Sequence, residues 1–376
     1  MPGPSFHALL AGGGTGGHIF PALSLAEELR ARGWTVSFMG SASGLEARLV
    51  PSRGIALHTL PARPLVGQGA LGKVRSLATL ARSAWSARAV IRSIGADVIV
   101  GTGGYVSAPA VVGGRLAGRP VLLLEPNAHS GVANRWLSRL ATEAAVAFEE
   151  TERELHCPTR VTGTPIRGEF AALPPLSPPW EPPRLLVLGG SQGAQQLNEA
   201  LPAAVAEAAP RLPGLEVLHQ SGERHGESTR AAYERLRSEG NLDAEVEVAP
   251  FLEDVAAAMG RTHLVISRAG ALTLAEICAA GRPSLLVPLA HALGHQGGNA
   301  RVLEERGAAQ VLAGEPGDPA LTPQRLASLL AERIVALLGT PEQLQRMGGA
   351  ARRLARGDAS EIIADRLEEW ARRRRP

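Results

Sequence analysis

The chain has little cysteine and almost no lysine. Cys157 and Cys278 are the only cysteines among 376 residues. They are too few and too far apart for a disulfide framework or a zinc spacing, so a reducing compartment is expected. Lys73 is the sole lysine; arginine carries the remaining positive charge, which reads first as genome composition, although arginine also suits phosphate recognition. Charge of one sign is missing too. The 39 basic and 36 acidic side chains leave a formal charge of +3, so no whole-molecule field selects nucleic acid. No stretch approaches the roughly 20 uninterrupted apolar residues that span a bilayer. The start of the chain lacks a basic stretch followed by a long apolar run. A cytoplasmic protein, attached to a membrane only peripherally, is expected. Asp-x-Asp does not occur, and neither does the Gly-Lys-Ser/Thr ending of a P-loop. A carboxylate-held divalent ion is therefore not visible, and neither a metal nor another cofactor is expected.

What remains is globular composition, 45% hydrophobic and 20% charged, in a chain long enough for two cores. Residues 6–11 read as a short buried strand and 21–32 as an amphipathic helix closed by Gly33, with a second strand at 34–39. Further strands are expected at 98–100 and 121–124. Strands separated by helices mean βαβ units and a mostly parallel sheet. Between 171 and 183, Pro174, Pro175, Pro178, Pro179, Pro182 and Pro183 exclude a helix or a central strand and predict an extended linker. The pattern then restarts. A strand at 185–188 precedes Gly189-Gly190-Ser191-Gln192-Gly193-Ala194 and a helix over 198–208; strands follow at 216–219, 245–248, 264–267 and 284–287. A final helix is expected over 360–373, with Ile362, Ile363, Leu367 and Trp370 on or near one face. The expected organisation is an α/β protein of two doubly wound, Rossmann-like domains facing across a cleft: 1–170, linker 171–183, 184–357, and a tail 358–376.

Five segments could carry chemistry. Gly12-Gly13-Gly14-Thr15-Gly16-Gly17-His18 follows the first strand, where glycines admit close backbone approach and the next helix offers free N–H groups to an anion. Glycines alone favour a tight turn with no ligand, and the dinucleotide fingerprint is not met, since neither Glu28 nor Glu46 stands at a convincing ribose position. His18 adds a group able to take a proton from a hydroxyl. Gly101-Thr102-Gly103-Gly104-Tyr105-Val106-Ser107 is a second glycine loop, and the pair suggests a bulky polar substrate near the backbone. Glu125-Pro126-Asn127 serves equally as a turn or a ligand site. In Ser267-Arg268-Ala269-Gly270-Ala271-Leu272-Thr273-Leu274-Ala275-Glu276, a strand passes through Gly270 into a helix. Its N–H groups and Thr273 could hold a diphosphate, and Glu276 could accept from both ribose hydroxyls, although Thr-x-x-Glu also forms a capping box. In His291-Ala292-Leu293-Gly294-His295-Gln296-Gly297-Gly298-Asn299 the glycines argue against a helix, and sugar contacts are favoured over a metal. With no metal, Arg167 and helix dipoles would neutralise a diphosphate.

Taken together, Gly13-Gly14-Thr15-Gly16-Gly17-His18-Ile19-Phe20-Pro21, Gly103-Gly104-Tyr105-Val106-Ser107, Gly189-Gly190-Ser191-Gln192-Gly193-Ala194, His219-Gln220-Ser221-Gly222 and Ser267-Arg268-Ala269-Gly270-Ala271-Leu272-Thr273 resemble the MurG family of bacterial peptidoglycan synthesis, in glycosyltransferase family 28. The resemblance covers nearly the whole chain, in register. It implies a GT-B fold, with UDP-N-acetylglucosamine (UDP-GlcNAc) bound by the C-terminal domain and lipid I (undecaprenyl-pyrophosphoryl-MurNAc-pentapeptide) by the N-terminal one. It also implies a last helix that returns to the N-terminal domain, and an inverting transfer of N-acetylglucosamine to the muramyl C4 hydroxyl that yields lipid II. Matched to the family's motifs, Thr15, Gly16, Gly17, Asn127, Arg167, Ser191, Leu252, Ala271, Leu272, Thr273, Glu276 and Gln296 are donor-site candidates, with Leu274 and Ala275 in the same run. His18 is the candidate base and Glu125 a weaker second. The chain departs from the family at Leu124, Pro126 and Gly294, where His, Gln and Asp are common.

Lipid I implies the cytoplasmic face of the inner membrane as a partner, and cell-wall synthesis or division proteins as further ones. Residues 71–92 offer Leu71, Val74, Leu77, Leu80 and Trp85 beside Lys73, Arg75, Arg82 and Arg88, a pattern able to lie on an anionic membrane; about half of that helix is expected to pack on the sheet instead. Two competitors remain. One is a GT-B transferase with another acceptor; the other is a nucleotide-sugar epimerase or binding protein that needs no acceptor.

Overall fold

The computed structural model describes residues 6–61, 70–190, 192–289, 295–312 and 322–374, without the side chains of 70–74, 76, 77 and 105. It divides into two compact units, Met1–Arg167 with Arg356–Pro376, and Gly168–Ala355.

In the first unit, strands β1 (His7–Ala11), β2 (Thr35–Gly40), β3 (Ala56–Thr59), β4 (Val98–Gly101), β5 (Val121–Glu125), β6 (Glu143–Val146) and β7 (Thr159–Val161) form one sheet in the order β3-β2-β1-β4-β5-β6-β7. Every pairing is parallel. Parallel strands are covered on both faces, which is why β4 and β5 read as unbroken Val-Ile-Val and Val-Leu-Leu-Leu runs. One face packs against the helices Gly16–Ala31 and Ala359–Arg374 through Ile19, Leu23, Ile363, Leu367 and Trp370. The other packs against Ala70–Ser93, Gly104–Leu116 and Val132–Leu137 through Ala87, Ile91, Val111 and Leu137.

The second unit repeats the order. Strands β8 (Arg184–Leu188), β9 (Glu216–Gln220), β10 (Glu245–Ala249), β11 (Leu264–Ser267), β12 (Ser284–Leu286) and β13 (Ala309–Val311) pair as β10-β9-β8-β11-β12-β13. In each sheet the chain therefore reverses its direction of winding between the unit's first and fourth strands, β1/β4 and β8/β11. Crevices outside the carboxyl ends at such reversals are where open α/β sheets bind ligands.

Several elements differ from the sequence reading. Strands β3, β6, β7 and β13 were not expected; they are edge or near-edge strands of only three or four residues, with little period-2 signal. The first helix begins at Gly16, five residues before Pro21, and carries that proline inside it. A helix does form at His295–Glu305 despite Gly297 and Gly298. Those glycines lie in its first turn, where their roughly 1 kcal/mol cost each is offset by burial of Asn299, Ala300, Val302 and Leu303. Residues 173–183 form neither helix nor strand and group with the second unit: Leu176 and Trp180 pack against its core, and Arg282 and Arg352 donate to the carbonyls of Pro174 and Leu173.

The last helix is tied to the first unit by charge as well as packing. Glu143, 4% exposed, accepts from Arg366 Nη2 at 2.6 Å and Nε at 2.8 Å, and from Arg160 Nε at 3.1 Å. Removing one partner of a buried pair strands the other charge. Because Arg366 is a quarter exposed and Arg160 remains, Arg366→Ala is expected to lower unfolding free energy by about 2 kcal/mol. Urea unfolding measures this, and a loss within error of zero would class the pair with ordinary surface bridges.

Candidate active site

In the first unit the site is built on the two loops that meet at the β1/β4 reversal. Gly12 follows β1, and a Cβ there would lie 1.9 Å from Thr102 Oγ1, which follows β4. Thr102 donates its backbone N–H to Ala11 O at 2.8 Å, so the loops are locked edge to edge. His18 projects from the first turn of the helix Gly16–Ala31 against the second loop. A Cβ on Gly103 or Gly104 would approach its ring to 3.1 or 3.3 Å. The glycines of the second loop thus make room for this imidazole, a closer reason for their presence than the bulky substrate expected from sequence. His18 Nδ1 lies 3.3 Å from Gly13 O and 3.2 Å from Thr15 Oγ1. That network assigns the proton to Nδ1, directed at the carbonyl, and leaves Nε2 as the acceptor. Burial lowers the pKa of His18 below 6.5, against the Gly13 hydrogen bond and the Glu125 charge, which raise it. A neutral imidazole with a free ring nitrogen can accept a proton near neutrality.

Glu125 ends β5 and is 2% exposed. Oε1 accepts from Asn127 N (3.1 Å) and Nδ2 (3.0 Å); Oε2 accepts from Gly131 N (2.9 Å) and Asn134 Nδ2 (3.0 Å). With four donors on it, this carboxylate is arranged to hold its loop and to act on His18 through its charge, rather than to abstract a proton. Its loop is held from behind. Thr151 Oγ1 donates to Asn127 O at 2.7 Å. Glu154 accepts from Ser130 N and Oγ at 2.7 Å each, and pairs with His129 and Arg135. Burial pushes the Glu154 carboxyl up, but the bonds from His129 and Ser130 and the charge of Arg135 outweigh it and hold the group down at about 2. Gly17, Pro21, Thr102, Glu125, Thr164 and Pro165 line one narrow crevice at this end of the sheet. Arg167 is partly buried three residues after Thr164.

In the second unit the expected residues also fall at the carboxyl ends. Ser191, like His291, lies outside the described residues. Around Ser191, Gly193 must be glycine: its φ is 80°, and a Cβ would sit 2.4 Å from Ser221 O. Leu252 follows β10 and is partly buried. Ala271, Leu272 and Thr273 form the first turn of the helix Ala271–Ala280 after β11, with Ala275 and Glu276 one turn on, all partly buried. Gly270 occupies the cap position, so Thr273 and Glu276 both lie inside the helix and do not form a capping box. Leu274 is 1% exposed and faces the core, which removes its side chain from any site surface. Gln296 Oε1 accepts from Leu289 N at 2.9 Å, and Asn299 Nδ2 donates to Ala269 O at 3.2 Å. These two amides of one helix fix the loops after β12 and β11. Among the described residues no three His, Cys, Asp or Glu side chains cluster as a metal site.

Residues 8–146 match the glycosyltransferase family 28 N-terminal domain and residues 184–357 its C-terminal domain. The chain belongs to glycosyltransferase family 28. Within that family it is 43% identical to the UDP-N-acetylglucosamine--N-acetylmuramyl-(pentapeptide) pyrophosphoryl-undecaprenol N-acetylglucosamine transferase of Ectopseudomonas mendocina, over 97% of this chain and 99% of that one. A protein of the same name from Acidithiobacillus ferrooxidans is 42% identical over 96% and 97%. The crystal structure of Acinetobacter baumannii MurG superposes with a TM-score of 0.77 at 32% identity, covering 97% of this chain and 99% of that one. The glycotransferase of kitacinnamycin (19% identity, TM-score 0.67, 98% and 100% covered) shares the fold alone. Family 28 membership and this likeness make the fold GT-B.

Asn134, Thr151, Glu154 and Asn198 carry no signal in the sequence that marks them for the site. Asn299 stands in a segment expected to contact sugar but donates to Ala269 O instead, and Glu46 is not at a ribose position. Each acts on a loop distant in sequence, and Glu46, with Gly40 and Gly44 beside it, carried a local signal. Asn198 belongs to a buried chain under the β8 and β9 loops. Its Nδ2 donates to Ser221 O at 2.9 Å, its Oδ1 accepts from His219 Nε2 at 3.0 Å, and Tyr233 Oη lies 3.1 Å from His219 Nδ1. Burial lowers the His219 pKa from 6.5 to about 4. The neutral ring is the folded form, so its stabilisation is complete above pH 6.5 and is lost as pH falls toward 4. That interval corresponds to about 3 kcal/mol. Thermal unfolding of wild type should weaken across this window, and His219→Gln should flatten the slope there. An unchanged slope would place the titration elsewhere.

Proposed function

We propose that this family 28 enzyme transfers N-acetylglucosamine from UDP-GlcNAc to the muramyl C4 hydroxyl of lipid I, forming lipid II. The single observation that carries the mechanism is the His18 ring, fixed at Nδ1 by the Gly13 carbonyl and open at Nε2. Nε2 takes the hydroxyl proton as the C4 oxygen attacks the anomeric carbon. The bond from that carbon to the diphosphate breaks on the opposite face, its electron pair leaves with UDP, and the configuration inverts. Glu125, held by four donors, stabilises the imidazolium that forms. Lipid I is assigned to the first unit beside His18, where Thr15, Gly16 and Gly17 precede that residue and Asn127 donates to Glu125. The donor is assigned to the second, where helix N–H groups at Ala271, Leu272 and Thr273 meet the diphosphate and Glu276 meets the ribose. Ser191, Leu252, Ala275 and Gln296 complete the donor side, and Arg167 supplies a cation. Leu274 supports that helix from the core.

Labelled UDP-GlcNAc incubated with a lipid I analogue tests this directly, with a lipid-linked disaccharide as the expected product. Release of UDP without acceptor would instead indicate an epimerase or hydrolase. His18→Ala should cut turnover on the order of 100-fold or more with UDP affinity nearly intact, because general base catalysis is worth about 100- to 10,000-fold. Glu276→Ala should chiefly raise the donor KM. Near-normal turnover in His18→Ala would reduce His18 to a positioning role.

The membrane is proposed to meet the face of the first unit that carries Ala70–Ser93, Gly104–Leu116 and Val132–Leu137. Among the described residues no helix is long and apolar enough to cross a bilayer. On this face Trp85 is 65% and Trp136 69% exposed. Each lies under an arginine, Arg88 at 4.9 Å and Arg139 at 5.0 Å from the ring centroid. Leu116 and Val132 are also exposed, and Arg75 and Arg82 add charge. Apolar rings with basic neighbours suit an anionic interface. Leu80 packs inward with Ala87 and Ile91; the side chains of Leu71, Lys73, Val74 and Leu77 lie outside the described residues. Flotation with phosphatidylglycerol vesicles should be lost in Trp85→Glu/Trp136→Glu, and unchanged flotation would remove this face from the assignment.

A further inference from the structure

Glu46 stands six residues beyond β2, is 0% exposed, and no step above uses it. Its carboxylate is enclosed by glycines. A Cβ on Gly13 would lie 2.3 Å from Oε1, one on Gly44 2.2 Å from Oε2, and one on Gly40 2.7 Å from Cγ. Oε1 accepts from Ser41 N at 3.0 Å and Ser41 Oγ at 2.5 Å, and Oε2 accepts from Gly14 N at 3.2 Å. Ser41 Oγ in turn accepts from Gly44 N at 3.1 Å.

The Gly14 N–H and the Gly13 carbonyl belong to one peptide unit. The first donates to Glu46; the second accepts from His18 Nδ1 at 3.3 Å. A carboxylate on the N–H side of a peptide increases electron density on its carbonyl oxygen, and hydrogen bonds in series reinforce one another. In catalytic triads a buried carboxylate bonded directly to the imidazole sets tautomer and orientation. Here one peptide unit stands between the two groups.

We propose that Glu46 is a positioning residue that sets the orientation and tautomer of His18 through the peptide joining Gly13 to Gly14. The proposal rests on the reading of His18 as the general base. Glu46 is an anion at neutral pH: burial opposes ionisation, but the bonds from Ser41, from its own backbone N–H and from Gly14 outweigh it and lower its pKa. The charged group acting on the His18 ring directly is Glu125. Glu46 acts through the peptide. Asn134, on the neighbouring loop, is neutral.

Glu46→Gln preserves shape but sets an amide N–H against the Ser41 or Gly14 donors. Expected effects are a fall in kcat on the order of 10- to 100-fold, as for other groups that orient a functional side chain, with the KM for UDP-GlcNAc within about twofold of wild type. The acidic limb of the kcat/KM profile should move to lower pH, since the ring loses a basicity-raising partner. Nitrogen-15 NMR of the imidazole should show the Nδ1–H tautomer in wild type and a shift toward Nε2–H in Glu46→Gln. An unchanged tautomer and an unmoved acidic limb would overturn the proposal, even with reduced activity. If the tautomer shifts while His18→Ala retains turnover, the relay stands and the base assignment fails. Should Glu46→Gln not fold, Ser41→Ala carries the test: it frees one side of the carboxylate and should move the same readouts in the same direction by less. No movement in a folded Ser41→Ala variant would then count against the relay.

Discussion

A Cβ at Gly12 would collide with Thr102, and one at Gly103 or Gly104 would press on the His18 ring. This close approach of two loops at the β1/β4 reversal is what the rest of the first unit's site depends on. Parallel strands end together, and neighbouring strands lie only about 4.8 Å apart, so loops leaving β1 and β4 compete for the same space. Glycine resolves that competition by removing side chains on both loops. What is left between them is one imidazole with one ring nitrogen committed to Gly13 and the other uncommitted.

The polar groups behind the site are largely satisfied. Glu125 has four donors, Glu154 holds Ser130 twice, and Asn198, His219 and Tyr233 form a closed chain beneath the second unit's glycine loop. Buried polar networks of this kind cost little when complete and a great deal when one member is missing. They give both units rigid loop bases from outside the loops themselves. The same economy explains the neutral state of His219 and the charged state of Glu154: burial governs the first, and specific donors overcome burial in the second.

The two units share a strand order but anchor their ends differently. In the first, Ala359–Arg374 returns to cover one sheet face, with Ile363, Leu367 and Trp370 in the core and Arg366 on Glu143. In the second, the proline-rich segment packs Leu176 and Trp180 on the core. Chain that enters and leaves each unit is thereby part of its packing.

Local pattern determined a good deal. Apolar runs located most central strands to within a residue or two, because a parallel strand buried on both faces writes its position in consecutive Val, Leu and Ile. The glycine loops, His18 and the 271–276 run were legible for the same reason: their signal is contained in fewer than ten residues. Short edge strands such as β7 and β13, and the helix starting at His295, were not legible, since neighbours rather than propensity stabilise them. Tertiary structure alone decided that the loops after β1 and β4 touch, that Leu274 faces the core, and that Glu125 is saturated with donors. It also decided that Glu46, 32 residues from Gly14, closes on the peptide that holds His18. A hydrogen bond depends on distance and angle in space, and residues so far apart in the chain meet only once strand order has been chosen.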